Sequence, residues 1–268
     1  MTQLNTLKWL QQPTQGTELL IEQLLDIGVA LSDTYDLGEL LDLILSKSRE
    51  ITCSDAGSVY LVDELNVKEC KLVFKAAQND SLPDLAFQEQ ALAITSESLT
   101  GYVALTGQSL NLADAYNLPK NTPYKFDKSF DEKTGYRTCS VLILPIQNRH
   151  LEVLGVLQLI NRKIQSNVLL TQENAKELTQ PYSEWEEKIL TSLASQAAIS
   201  IERNNLQENI ENLFEGFVKA SVRAIEARDS CTSGHSERVA KLTVGLSQEV
   251  NIINLSLIHI SEPTRHNS

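Results

Sequence analysis

The sequence predicts an α+β fold: a mostly antiparallel central sheet flanked by helices, then a long connector helix and a short α-helical fragment. Three observations carry this reading. Short apolar strand patterns, separated by polar turns, fill the middle of the chain. Helical stripes with capping signals stand before and after them. From Ser183 onward the apolar residues recur at helical spacing. The 268 residues allow roughly two domains, and a hydrophobic content of 42% is enough for a core.

Residues 1–16 are polar, contain Pro13 and Gly16, and read as a loose leader. Leu20, Leu24, Ile27 and Leu31 form a helical stripe over 18–31. Asp36 and Glu39 fit a capping box for a second helix from Leu37 to about Ile51. Its buried face is Leu37, Leu40, Leu41, Ile44 and Leu45. SVYLVD (58–63) and KLVFKA (71–76) predict a hairpin. Leu99 to Leu105 reads as a short helix ended by Gly107, and SLNLAD (109–114) as a short strand. SVLILPIQ (140–147) and VLGVLQLI (153–160) are strong strands joined by the turn NRHLE.

Ser183 and Glu186 fit a capping box at the start of a long helix. Leu206, Ile210, Leu213, Phe217, Ala220 and Ala224 then step by 4, 3, 4, 3, 4, which is the a/d seam of a coiled coil. The same spacing also suits one amphipathic helix packed on its own domain. The plan is a leader (1–16), a first domain (17–205), a connector helix (206–228), a short helical fragment (229–254) and a non-native tail (255–268). That tail, LSLIHISEPTRHNS, is out of register with everything before it and reads like translated adapter sequence. His259 and His266 lie in it and are not counted as ligands.

The formal net charge is −12. An acidic surface repels phosphate backbones and anionic lipid, so neither nucleic acid nor membrane is an expected partner. No apolar run approaches the roughly 20 residues that span a bilayer. The N-terminus lacks a signal-peptide core, so a cytoplasmic location is expected. Cys53, Cys70, Cys139 and Cys231 form no CxxC pair and read as reduced thiols.

Residues 113–163 run from a polar loop into two apolar strands. A polar lid beside a buried sheet is what a small-molecule pocket needs. The segment DEKTGYRT (131–138), followed by the strand pair ending LQLIN, resembles a GAF domain of the cyclic-nucleotide phosphodiesterase type. The resemblance covers about Thr17 to Asn205. It implies that Asp131, Thr134 and Thr138 contact a ligand, that Gln158 points a polar group into the pocket, and that Ser58, Leu99 and Thr100 are further contacts. The implied ligand is cyclic AMP or cyclic GMP. The alternative is a GAF fold whose pocket is empty or takes something else, acting as a dimerisation scaffold. A family signature, Asn-Lys followed by Phe-x3-Asp-Glu, stands here as Asn161-Arg162 and Tyr182-x3-Glu186-Glu187. An Arg162–Glu186 ion pair would tie the last strand to the next helix, and the Ser183 capping box competes for the same Glu186.

The segment FVKASVRAIEARDSCTSGHSERVAKLTVGL resembles the opening helices of an HD-GYP phosphodiesterase, a branch of the HD superfamily that cleaves cyclic-di-GMP. By that resemblance His235 is the first metal ligand, Asp229 and Thr232 shape the loop before it, and Arg238 lies one turn after. The rest of such a site is a His-Asp pair, and neither it nor Gly-Tyr-Pro occurs here. One imidazole does not hold a divalent ion in an open catalytic geometry. The 268-residue chain is therefore expected to be inactive by itself and to carry no cofactor, with iron or manganese belonging to a longer HD-GYP protein. The expected function is a GAF sensor that binds a small molecule, dimerises through the helical seam and regulates a C-terminal HD-GYP hydrolase.

Overall fold

The computed structural model describes residues 24–31, 33–34, 36–63, 71–84, 91–226 and 235–260. The leader (1–16) lies outside the described residues. A helical stretch over 24–31 comes first. Helix α1 (Leu37–Thr52) follows, opened by Asp36, whose carboxylate accepts the Glu39 N–H at 2.9 Å. The strands are β1 (Ser54–Asp63), β2 (Lys71–Asn79), β3 (Ala91–Ala93), β4 (Leu110–Leu112), β5 (Val141–Gln147) and β6 (Val153–Arg162). Between and after them run α2 (Leu99–Thr106), α3 (Ser129–Thr134), α4 (Ala175–Leu178), α5 (Glu184–Glu226) and α6 (His235–Ile260).

All four predicted long strands are present, in one six-stranded sheet ordered β3-β2-β1-β6-β5-β4. Every neighbouring pair is antiparallel. β1 begins at Ser54, ahead of the predicted position 58, because Ser54 and Ala56 pair with Arg162 and Ile160 of β6. The text Ser-Asp-Ala-Gly has no strand propensity of its own, so this pairing is a tertiary effect. β3, α3 and α4 were not legible in the sequence; β3 is three residues laid against β2, with Leu92 opposite Leu72.

The helix predicted over 99–105 is α2. Ser98 caps its start by accepting the Gly101 N–H at 3.0 Å, and Gly107 ends it at φ 64°, a left-handed backbone that favours glycine. The β5–β6 turn is built by Asn148, whose side-chain oxygen accepts the His150 and Glu152 N–H groups at 2.9 and 3.0 Å.

Period-2 alternation gives the sheet two different faces. On one, Val59, Leu142, Leu144, Leu157 and Leu159 pack against Leu40, Ile44 and Leu45 of α1, Ile27 and Leu31, and the apolar stripe Leu190 to Ile201 of α5. On the other, Tyr60, Leu72, Val141, Ile143 and Val156 pack against Leu99 and Val103 of α2 and the loop residues Ala115 and Tyr124.

The Ser183 capping box and the Arg162–Glu186 ion pair do not compete. Glu186 Oε2 accepts the Ser183 N–H at 2.8 Å, and Ser183 Oγ accepts the Glu186 N–H at 3.2 Å. Glu186 Oε1 accepts from Arg162 Nε at 2.5 Å. One carboxylate does both jobs with separate oxygens.

The chain divides into two units, Met1–Asn205 and Leu206–Ser268. In the second, Leu206, Ile210, Leu213 and Phe217 are 62, 65, 74 and 70% exposed. Val239, Leu242, Leu246 and Val250 of α6 are exposed as well, and α6 continues past Asn254 into the segment read as a tail. No described helix is long and apolar enough to cross a membrane.

The Leu157 side chain is fully buried beneath the helices. Leu157→Ala is expected to lower unfolding free energy by about 2–5 kcal/mol, through lost transfer energy and a cavity, as read by urea titration.

Candidate functional site

The face of the sheet away from α1 and α5 carries a polar row in an apolar floor. Ser58 of β1 lies directly across from Gln158 of β6, and Gln158 is also across from Ile143 of β5. Tyr60 points to the same face because it is two residues beyond Ser58. Gln158 Oε1 accepts from the Ser58 and Tyr60 hydroxyls, both at 3.4 Å. Burial pushes the Tyr60 hydroxyl pKa up, and the Ser58 hydrogen bond opposes this. Around the row stand aromatic rings: Phe74 meets Tyr60 edge-on at 5.3 Å, and Tyr102 meets Tyr124 at 4.9 Å. Leu99 and Thr100, both buried, form the first turn of α2, which packs on β5 and β6.

Over this floor runs the connection from β4 to β5, residues 113–140, which forms a lid. Asp131 is its organiser. Oδ1 accepts from the Thr138 hydroxyl at 2.8 Å; Oδ2 accepts from the Thr138 N–H at 2.8 Å and the Tyr116 hydroxyl at 2.9 Å. The Tyr116 ring lies under the Arg137 guanidinium, 3.5 Å from its centroid, with Lys128 4.8 Å away and Phe126 5.2 Å away. The Thr134 hydroxyl turns back to its own helix, donating to the Phe130 carbonyl at 2.8 Å and accepting the Tyr136 N–H at 3.2 Å.

The structure thus brings Ser58 and Gln158 together on the floor, and Asp131 and Thr138 together in the lid. Thr134 spends its hydroxyl at the end of α3. Tyr60, which completes the floor row, was absent from the sequence reading. Its two-residue offset from Ser58 was the available signal.

Asp55 and Asn161 tie the lid to the sheet, and Asp114 braces it from within. The Tyr136 hydroxyl donates to Asp55 Oδ2 at 2.6 Å. Asn161 accepts the Cys139 N–H at 2.6 Å and donates to the Arg137 carbonyl at 2.7 Å. Arg137 also lies 3.5 Å from Asp114. Asp55 itself sits in a buried ionic cluster: Lys163 Nζ is 3.3 Å from Asp55 Oδ1 and 2.8 Å from Asp80 Oδ2, and Ser81 donates to Asp55 at 2.8 Å. Arg49 pairs with Asp80 and donates to the Asp55 carbonyl at 2.8 Å. Burial pushes the Asp80 carboxyl up, but the hydrogen bonds and charges of Lys163 and Arg49 outweigh it and leave the pKa lowered. No sequence signal links Asp55 to Tyr136, because only the fold brings the two together.

Among the described residues, no group of three or more His, Cys, Asp or Glu side chains is placed to hold a metal ion. His235 opens α6, and its side chain lies outside the described residues. Cys53 and Cys139 are free thiols.

Burial and the Asp55 carboxylate raise the Tyr136 hydroxyl well above its ordinary 10.0. Unfolding restores the ordinary value. Tyr136 therefore contributes stability that is fully present below pH 10.0 and is lost as pH rises from there toward the folded value. Near neutral pH, Tyr136→Phe is expected to cost about 1–3 kcal/mol, because buried Asp55 loses a donor. In urea titrations above pH 10.0, the variant is expected to lose stability less steeply than the wild type, by up to about 1.4 kcal/mol per pH unit.

The GAF domain family model matches residues 36–201. Over 160 residues, the chain is 32% identical to the dual 3',5'-cyclic-AMP and -GMP phosphodiesterase 11A of Takifugu rubripes, covering 59% of this chain and 17% of that protein. Over 150 residues it is 29% identical to the cGMP-specific 3',5'-cyclic phosphodiesterase of Drosophila melanogaster, covering 54% of this chain and 13% of that protein. The chain thus spans less than a fifth of the length of these curated relatives. Among solved structures, the GAF domain of an Acinetobacter phosphoenolpyruvate-protein phosphotransferase superposes with a TM-score of 0.52 at 21% identity, covering 70% of this chain and 95% of that one. At that identity the likeness concerns the fold. The match over 36–201, which takes in α1, the whole sheet and the first half of α5, shows that the chain belongs to the GAF domain family.

Proposed function

We propose that this GAF domain is a cytoplasmic sensor that binds a small molecule between the sheet and the lid, with a cyclic nucleotide as the leading candidate. The observation that carries the reading is the Ser58–Tyr60–Gln158 row set in an apolar, aromatic floor beneath a pinned polar lid. A purine needs an apolar face and a few edge hydrogen bonds, and a cyclic phosphate needs hydroxyl and N–H donors. In this reading Leu99 supplies a wall, Ser58, Thr100 and Gln158 supply polar contacts, and Asp131, Thr134 and Thr138 shape the lid. The likeness to two cyclic-nucleotide phosphodiesterases supports the choice of ligand.

The domain would pass its state through residues 206–228 to an HD-GYP cyclic-di-GMP phosphodiesterase that begins at 229–254. His235 would supply its first ligand for iron or manganese, and the remaining ligands would come from a longer protein. The exposed seam Leu206–Phe217 supports a homodimer. That seam also favours the second reading, a GAF scaffold that dimerises without a ligand.

Calorimetry with cyclic AMP and cyclic GMP separates the two. Heat with one of them is expected, and no heat with either on folded protein removes the cyclic-nucleotide reading. Thr138 is a poor probe because its hydroxyl is committed to Asp131. Gln158→Met keeps the volume and removes the amide, and is expected to weaken binding by about 0.5–1.5 kcal/mol. For the dimer, sedimentation equilibrium is the measurement. Leu213→Asp places a charge in the seam and is expected to shift the protein to monomer; a wild-type chain that is already monomeric would sink the dimer.

A further inference from the structure

We infer that Asn161 is a positioning residue that couples the lid to the start of α5. Asn161 is fully buried at the end of β6 and has a left-handed backbone, φ 58°. The β1–β6 register is the same on either side of it, Ala56 opposite Ile160 and Ser54 opposite Arg162. Asparagine tolerates that conformation better than most residues. What keeps it there is its side chain, both ends of which are bound to lid backbone: Oδ1 to the Cys139 N–H at 2.6 Å, and Nδ2 to the Arg137 carbonyl at 2.7 Å. Its own N–H donates to the Ser140 carbonyl at 2.8 Å. One buried amide thus binds the lid backbone at two of its last residues, Arg137 and Cys139.

The next residue faces the other way. Arg162 Nε donates to Glu186 Oε1 at 2.5 Å, and Glu186 Oε2 closes the first turn of α5 on Ser183. Lid and helix start are thus held by two consecutive residues of one strand. A lid movement that draws Arg137 and Cys139 away strips a buried amide of both partners or turns its backbone. Turning the backbone at 161 moves the guanidinium that holds Glu186. The inference rests on the sensor reading for what moves the lid. The coupling itself exists with or without a ligand.

Amide hydrogen exchange on the whole 268-residue chain tests it without any ligand. Glu186→Gln keeps an oxygen for the Ser183 box but removes the charge that holds Arg162. It is expected to speed exchange of the Cys139 N–H in the lid several-fold. Asp131→Asn loosens the lid away from Asn161 and is expected to speed exchange of the Glu186 and Glu187 N–H groups, because coupling is reciprocal. Asn161→Gly suits the left-handed backbone and deletes the amide; in that background both distant effects are expected to vanish. Should that variant not fold, Asn161→Asp takes its place, keeping the acceptor for Cys139 and losing the donor to Arg137, and both effects are expected to shrink. Effects confined to the neighbourhood of each change, or distant effects that persist when Asn161 is replaced, would overturn the proposal and leave Asn161 a structural residue. Failure here leaves the calorimetric result standing, and an absence of binding heat leaves this coupling standing.

Discussion

Lys163 and Asp55, a buried ammonium and a buried carboxylate 3.3 Å apart, fix where the ends of the central strands meet. Neither charge is tolerable alone away from water. Each therefore dictates its surroundings: Asp80 and Arg49 complete the charge balance, and Ser81 and Tyr136 fill the remaining acceptor sites of Asp55. Through these contacts α1, β1, the end of β2, the lid and the end of β6 share one point. Ser81 extends the point to the following loop by accepting the Leu170 N–H at 2.7 Å. Such a cluster adds little net stability over an apolar packing of the same volume. Removing one partner is costly, about 3–5 kcal/mol, because it strands a charge.

The sheet divides its labour by face. On β6, Leu157 and Leu159 enter the helical core, while Gln158 between them faces the lid. On β1, Val59 and Tyr60 divide in the same way. The helical face is covered by α1 and α5 and is apolar at its centre. The lid face is covered by irregular chain, whose backbone polar groups need partners of their own. Asp131 supplies one for the Thr138 N–H, and Asn161 supplies two for the Cys139 N–H and the Arg137 carbonyl. Part of the polar content of this face is therefore required by its covering, and the row Ser58–Tyr60–Gln158 is bonded within itself.

Helix α5 changes role along its length. Its first turns are fixed by Glu186, which joins Ser183 and Arg162, and by Glu187, which accepts from Asn111 at 3.1 Å and from Ser109. Leu190 to Ile201 then form a wall of the core. At 43 residues the helix is about 65 Å long, roughly twice the span of the ten-residue β6. The same helix carries buried leucines early and exposed ones from Leu206 on.

Local chemistry in the sequence determined the elements whose signals are local. The four long strands, the Asp36 and Ser183 helix starts and the Gly107 stop follow from alternation, capping and glycine. The motif residues could be named as well, because DEKTGYRT is a contiguous stretch of text. Only the tertiary structure decided how those residues spend their hydrogen bonds. Thr138 and Asp131 satisfy one another, Thr134 caps its own helix, and Glu186 serves two partners through two oxygens. Asp55 and Tyr136, or Asn161 and Cys139, meet because strands pair at long range, and no periodicity encodes a contact between segments so far apart. β3 and the early start of β1 likewise exist because a neighbouring strand offers unpaired N–H and C=O groups, which their own short sequences do not announce.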